Sequence, residues 1–560
     1  MLENNPYTGK PWINHYDKGL PASINYPEMN IYEFLDNSAK EFGDRTAIWF
    51  IKEKISYEKL KDFTDRLATA LVNIGVKKGD LIAIMMPNFP QFIISYYGIL
   101  KAGGIITSLS ILSTERELTY QLNDAGAKIL IVWDKYINRI DNIMEKTCLN
   151  QIIFTNLFDF ASKVNPLGDS EPPKIAKSLQ FLNLINNTKP APPKFQTKAK
   201  EDLVCLQYTP GTTGLPKGVM LTHYNITSNV IAINQWLGSR MRRGKETILT
   251  CLPFDHIYAQ IVSMNLHIYN GSTIALLLEP GNERILFATF KETHPTFFPG
   301  VPSMFMRLID RENLEGFLKD LKSLKVCNIG AAAIPLKVLK EFEKRTVSIL
   351  LEGYGMTETS ALVMSNPIAG KRKIGSVGLP YPDVEVKLVD VEDYTKIVPQ
   401  GEYGEIMIKG PQVFKGYWNN PEVNANQLKD GWILTGDIAT MDEDGYFHII
   451  ERKNYIIKMN GYKVFPREIE DLLFKNEIIE KVAVIGIPDP EDLASEEVKA
   501  FILLKYGYKV TEEIKTKIKN FCSKNLATYK VPKIYEFRRD LSKSVVGKEI
   551  RKDWNFQNLW

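Results

Sequence analysis

The segment Tyr208-Thr-Pro-Gly-Thr-Thr-Gly-Leu-Pro-Lys-Gly218 constrains this chain more than any other. It follows a strand-like run, Leu203–Thr209, and precedes a helical segment expected to begin near Asn225. Gly211, Gly214 and Gly218 let the backbone curl closely around an anion. Thr209, Thr212 and Thr213 add hydroxyl donors and Lys217 adds a mobile positive charge, a set suited to a polyphosphate. Taken alone, such a Gly/Thr cluster also reads as a surface turn with an ordinary lysine. The chain contains no Gly-Lys-Ser or Gly-Lys-Thr, which disfavours a P-loop nucleoside triphosphatase.

Around this loop the chain alternates strand and helix patterns. From Ser56 to Gly75 apolar residues recur at Leu60, Phe63, Leu67, Leu71 and Ile74, a helical stripe with Ser56 as cap and Gly75 as stop. Leu81–Met86 reads as a buried strand, Phe92–Leu100 as a helix, and Lys128–Trp133 and Gln151–Thr155 as further strands. Such an order predicts parallel sheets covered by helices. Gly401–Gly445 is instead dense in glycine, proline and aromatics, which predicts a small β-rich unit. Beyond Arg452, strands at Val482–Ile487 and Lys499–Leu504 alternate with helices at Pro466–Lys475 and Glu512–Lys524. With 560 residues, the chain is too long for one core. We place a boundary near Asn454: an N-terminal domain over 1–453, its β-rich part at about 375–453, and a small α/β domain over 454–560.

Composition excludes several classes. Lys plus Arg exceeds Asp plus Glu by 70 − 66, a net +4 that is too dilute to argue for nucleic acid. The five cysteines form no CxxC or Cys/His cluster, so neither a disulfide framework nor a zinc site is expected, and a reducing cytoplasm is the simplest compartment. The N-terminal stretch has no apolar core of a secretory signal. Phe92–Leu112, the most apolar stretch, is broken by Lys101 and the adjacent glycines Gly103 and Gly104, so no membrane span is expected. Peripheral membrane contact and a homodimer are left open.

The glycine-rich loop resembles the YTSGTTGxPKG signature of the adenylate-forming (AMP-binding) superfamily, with Pro210 where that family usually has serine. Further stretches fall in the family's order. Gly353-Tyr-Gly-Met-Thr-Glu-Thr359 resembles the second signature, and Gly330-Ala-Ala-Ala-Ile-Pro335 the small-residue strand end on which adenine lies. Trp432-Ile-Leu-Thr-Gly-Asp437 matches W-x-x-T-G-D, and Ile456–Glu470 resembles the stretch opening a mobile C-terminal domain. Leu541–Arg551 resembles the lysine-bearing ending, with Ser542 for the usual proline, and Leu252-Pro-Phe-Asp-His256 matches L-P-x-x-H. Asn454 and Tyr455 depart from the usual hinge residues. The start Trp12–Ala22 looks like that of prokaryotic long-chain fatty acid–CoA ligases.

The resemblance implies a large N-terminal domain of stacked α/β subdomains plus a β-rich subdomain, closed by a small mobile C-terminal α/β lid. It implies an acid–CoA ligase that converts a carboxylic acid to acyl-AMP with release of pyrophosphate and then passes the acyl group to CoA. ATP and CoA would be co-substrates and Mg²⁺ the cofactor. By this resemblance Thr209, Gly211, Thr212, Thr213, Gly214 and Lys217 would cradle the phosphates. Gly330, Ala331, Ala332 and Gly353, Tyr354, Gly355 and Met356 would border the nucleotide. Thr357 would meet the α-phosphate or acyl carbonyl, and Glu358 would hold Mg²⁺. Asp437 would accept bonds from the ribose hydroxyls and Arg452 would contact ribose or phosphate. His256 would line the acyl entrance. Gly461, with Tyr462 and Lys463, would flank the pantetheine arm, and Lys548 would bridge carboxylate and α-phosphate. Without that company, Asp437 reads as a turn aspartate and Lys548 as a solvated charge.

For the acid, apolar residues in Phe254–Leu266 and Phe297–Met306 line a hydrophobic tunnel or simply fill a core. A medium- or long-chain fatty acid is favoured, with aryl acids open. Nothing resembling a carrier-protein module follows Lys548, which favours CoA as acceptor over a peptide-synthetase arrangement or a luciferase-like oxidation. A non-catalytic nucleotide-binding protein on the same fold is the rival from another class.

Overall fold

The computed structural model describes residues 5–161, 178–209, 215–309, 319–330, 334, 336–459, 462–489 and 496–538. Among these, two large sheets dominate. The first has eight strands, whose parallel centre runs Leu203–Thr209, Ile105–Ser108, Leu81–Met85, Ile129–Trp133 and Gln151–Thr155. The second has nine strands, with Thr273–Leu276, Thr247–Thr250, Phe297–Gly300, Val326–Ile329 and Ile349–Met356 parallel at its centre. This α/β arrangement is what the alternating apolar periodicity predicted.

Local chemistry accounts for the element ends. Helix Tyr57–Asn73 begins where the Ser56 hydroxyl accepts from the Lys59 N–H, and its apolar stripe, Leu60, Leu67 and Leu71, is buried. It stops before Gly75, which takes a left-handed φ of 100°. Helix Pro90–Lys101 is buried on every side, which explains its nearly uninterrupted apolar sequence. Its Gly98 lets Leu67 approach so closely that an added Cβ would sit 2.8 Å from that side chain. Lys101, nominally out of place there, is paired with Asp36 and Asp65, each at 2.5 Å. Among the described residues, no helix is long and apolar enough to cross a membrane.

The helix expected near Asn225 is present, but a strand that the sequence did not suggest stands between it and the glycine-rich segment. Lys217–Thr222 is a strand, antiparallel to Leu203–Thr209 with Thr209 opposite Lys217. The helix starts at His223, where Thr222 and Asn225 bond reciprocally in a capping box. Glycine inside a strand normally weakens it. Here Gly218 is needed because a Cβ would crowd the Tyr208 ring and Trp418.

The β-rich unit is a five-stranded antiparallel sheet between Glu385 and Arg452. Trp432–Met441 is its long central strand. After the short turn Lys453–Tyr455 comes the hairpin Ile457–Met459 with Tyr462–Val464. Helices Pro466–Phe474 and Glu512–Asn525 then accompany the strands Ile479–Pro488, Glu496–Leu504 and Ile534–Phe537. This C-terminal part has its own apolar core, including Val464, Ile469, Leu473, Val484, Ile502 and Ile518. It meets the rest through Ile456 and Phe465, which cluster with Val391 and Ile438, and through the Phe465 ring, 5.0 Å from that of Tyr403.

Candidate active site

Strand Lys217–Thr222, the turn after strand Ile349–Met356 and strand Gly416–Tyr417 meet at one place. Tyr417 pairs with Val219, which brings its ring beneath Lys217, whose Nζ lies 5.4 Å from the ring centroid. The Tyr417 hydroxyl donates to Glu358 Oε1 at 2.8 Å. Glu358 itself sits in the tight turn Thr357–Thr359, buried together with Thr357, and its carbonyl accepts from the Phe414 N–H at 2.8 Å. The next two residues, Ser360 and Ala361, have φ of 56° and 90°, costly for residues with a Cβ. The Ser360 hydroxyl holds the turn by donating to the Gln412 carbonyl at 2.9 Å.

Burial pushes the Glu358 carboxyl above its ordinary range. The Tyr417 hydrogen bond opposes this first, and the positive charges of Arg452 and Lys217 oppose it further. Despite the phenol and these two cations the carboxyl stays raised, so its ionised form would gain from one more positive charge. The donor set therefore fits a divalent cation. No cluster of three or more His, Cys, Asp or Glu that could hold a metal exists among the described residues. A cation at Glu358 would thus need phosphate oxygens to complete its shell, the usual situation for Mg²⁺.

A second constellation adjoins the first. Asp437 is buried within strand Trp432–Met441, just after Gly436 at φ 71°, and stands opposite Arg452 in the antiparallel pair. It is a strand residue, not a turn aspartate. Arg452 Nε lies 2.7 Å from Asp437 Oδ1, and the Tyr354 hydroxyl donates to Oδ2 at 2.6 Å. Burial disfavours the charged form of Arg452, but Asp437, Tyr354 and Glu358 together hold its guanidinium above the ordinary range. Arg452 is thus the electrostatic link between Asp437 and Glu358. Strand Ile349–Met356 carries Gly353, Tyr354, Gly355 and Met356 to this place. At Gly355 a Cβ would overlap the Ala361 carbonyl.

The third side is formed by the end of strand Val326–Ile329. A Cβ on Gly330 would come within 2.9 Å of the Tyr258 ring, and the Tyr258 hydroxyl bonds the Asn328 side chain. His256 Nδ1 accepts from the Tyr258 N–H at 3.2 Å, leaving Nε2 to carry the proton of the neutral ring. The His256 ring is solvent-accessible but set among dense protein, and desolvation lowers its affinity for a proton against the charge of Asp255. Behind Asn328 lies a cavity of about 30 Å³ lined by Trp236, Val262, Leu266, His267, Phe297 and Leu362 among others. Both apolar stretches singled out in the sequence thus contribute to one cavity.

Lys217, Thr357, Glu358, Gly330, Tyr354, Asp437, Arg452 and His256 are therefore placed by the described structure. Thr209 ends its strand opposite Lys217. Tyr462 and Lys463 lie on the C-terminal hairpin, Lys463 beside Asp390. The carboxyl of Asp390 is held low chiefly by the N–H groups of Glu392 and Asp393 and then by that lysine. Gly211, Thr212, Thr213, Gly214, Ala331, Ala332, Gly461 and Lys548, like Pro210, lie outside the described residues. Sequence reasoning missed Tyr417, Tyr258 and Asn328. Tyr417 stood within an aromatic-rich stretch, the one local signal that could have pointed to it.

With this geometry in hand, comparison with known proteins defines the class. Residues 35–418 match the AMP-binding enzyme family and residues 468–548 the AMP-binding enzyme C-terminal domain. The chain belongs to the AMP-binding enzyme family, with the fold of the adenylate-forming enzymes. Among its relatives, it is 39% identical over 557 residues, 97% of each chain, to a long-chain-fatty-acid–CoA ligase of Bacillus subtilis. Among solved structures it resembles ATP-bound MatB from Rhodopseudomonas palustris, with a TM-score of 0.81, 27% identity, and coverage of 95% and 100% of the two chains. It also resembles an anthranilate CoA ligase in complex with anthranoyl-AMP, with a TM-score of 0.81, 25% identity, and coverage of 95% and 97%.

Proposed function

We propose that this protein is an ATP-dependent acid–CoA ligase whose acid is a fatty acid, medium- to long-chain. The observation that carries the reading is the convergence of Lys217, Glu358, Arg452 and Asp437 on one buried site, linked through Tyr417 and Tyr354. The chain's likeness to a long-chain-fatty-acid–CoA ligase over 97% of both chains supports the fatty acid, as does the apolar cavity behind Asn328.

In the first half-reaction the substrate carboxylate attacks the α-phosphorus of ATP and pyrophosphate leaves. Lys217 and Arg452 supply positive charge to phosphate oxygens, and Asp437 accepts from the ribose hydroxyls. Thr357 donates its hydroxyl at the α-phosphate or acyl carbonyl. Glu358 would hold Mg²⁺, which when bound neutralises phosphate charge and orients the triphosphate. Little covalent work falls to the protein, so rate comes from alignment and fixed charge. His256, neutral at ordinary pH, borders the acyl entrance. Lys548 on the C-terminal domain completes adenylation by bridging carboxylate and α-phosphate.

In the second half-reaction the C-terminal domain, beginning near Asn454, turns to withdraw Lys548 and bring Gly461, Tyr462 and Lys463 to the CoA arm. The short turn Lys453–Tyr455, directly after the nucleotide-facing Arg452, is the natural pivot. We place the protein in the cytoplasm. Pyrophosphate release over a panel of fatty and aryl acids, with and without CoA, tests the reading. Acid-dependent pyrophosphate release and CoA-dependent thioester formation are expected. Nucleotide binding without either product would establish the non-catalytic alternative.

A further inference from the structure

The cavity behind Asn328 is apolar except at one point. His267 is fully buried, its ring edge-on to Phe297 with centroids 5.4 Å apart. Among the described residues neither of its ring nitrogens has a hydrogen-bond partner. An imidazole without partners in a packed interior is unusual, because each orphaned polar atom costs about 1–3 kcal/mol. Burial pushes its proton affinity down to about 3 against the attraction of Glu246, so the ring is neutral. It offers one N–H donor and one bare nitrogen acceptor.

The position of this histidine follows from the sheet. Strand Phe297–Gly300 pairs in register with Val326–Ile329, Gly300 opposite Ile329, and Gly330 borders the nucleotide side. His267 packs on Phe297 at the opposite end of the strand. Three steps of strand separate the two ends, so His267 lies roughly 10 Å from the Gly330 end of the sheet. The cavity, about 30 Å³, has room for one or two waters only. An acyl chain entering past Asn328 would spread the apolar walls and bring its far end toward His267.

Resting on the acid–CoA ligase reading, we propose that His267 is a specificity-determining residue that makes this enzyme accept acyl chains bearing a hydroxyl at or near the distal end. A hydroxyl both donates and accepts, and so matches either nitrogen of a neutral imidazole. A second carboxylate matches less well, since its charge would be buried beside a neutral ring in an apolar cavity. A purely apolar chain end would leave both nitrogens orphaned, whereas a hydroxyl end satisfies one of them.

The test measures kcat/KM by pyrophosphate release for straight-chain acids, matched ω-hydroxy acids and matched α,ω-diacids over a series of chain lengths. In the wild-type enzyme the hydroxy-to-plain ratio should peak at one chain length. His267→Leu should lower that peak ratio roughly ten-fold, the equivalent of one hydrogen bond. His267→Gln, which keeps a donor and an acceptor, should retain the peak. A ratio flat with chain length in the wild type, unchanged in His267→Leu, or exceeded by the diacids overturns the proposal. Turnover of no acid at all would instead remove the ligase reading beneath it.

Discussion

Removing one oxygen atom from Tyr417 should separate the two roles that meet at Glu358. The Tyr417 hydroxyl donates to the Glu358 carboxylate at 2.8 Å, with Glu358 only 7% and Tyr417 only 4% exposed, so solvent cannot replace the bond. A hydrogen bond to a charged group contributes about 1.5–3 kcal/mol. If that stabilisation supports the ionised carboxylate needed for adenylation, Tyr417→Phe should lower kcat/KM roughly 10- to 100-fold at 1.36 kcal/mol per tenfold. The loss should depend on pH in a definite direction. Burial raises the Glu358 carboxyl and the Tyr417 bond lowers it, so deleting the bond raises it further. The variant then keeps Glu358 protonated to higher pH, and its deficit should be greatest in acid and shrink toward alkaline buffer. ATP–pyrophosphate exchange measured across that range reads this directly. An equal deficit at every pH, or none, would refute the argument that Tyr417 acts through the charge on Glu358.

Four further outcomes are expected. Glu358→Gln should abolish exchange yet raise the thermal midpoint at neutral pH, because a carboxyl raised by burial favours folding only while protonated; stability is lost as pH rises through its folded value, so the variant's advantage should vanish in acid, as calorimetry over a pH series can check. Arg452→Ala should destabilise by about 1.5–3 kcal/mol in denaturant titration, since it removes the guanidinium 2.7 Å from buried Asp437, whereas Asp437→Asn should cost less stability but raise the KM for ATP. Gly355→Ala should fail to accumulate as folded protein in a soluble-expression assay, because its Cβ overlaps the Ala361 backbone. Lys548→Ala should abolish ATP–pyrophosphate exchange while supplied acyl-AMP still reacts with CoA, and equal loss of both steps in single-turnover assays would refute the division of labour.

Much of the architecture was legible as local pattern. The strands Leu81–Met85 and Gln151–Thr155, and the helix Tyr57–Asn73 with its Ser56 cap, each follow from apolar spacing and end chemistry within a few residues. The strand Lys217–Thr222 was not legible, because Gly218 argues against a strand until Tyr208 and Trp418 are seen to need the space. The motif residues were legible by type, but each on its own supported a bland reading as well: Asp437 as a turn residue, Lys217 as an ordinary surface lysine.

The order of strands and helices, the caps and the chemical types available to a nucleotide site were determined by the sequence alone, because they depend on neighbours a few positions apart. Only the tertiary structure decided which of those groups meet. Tyr417 reaches Glu358 across 59 positions and Tyr354 reaches Asp437 across 83, through sheet register that no local pattern encodes. Charge that is costly to bury became a site because those distant pairings enclosed it together.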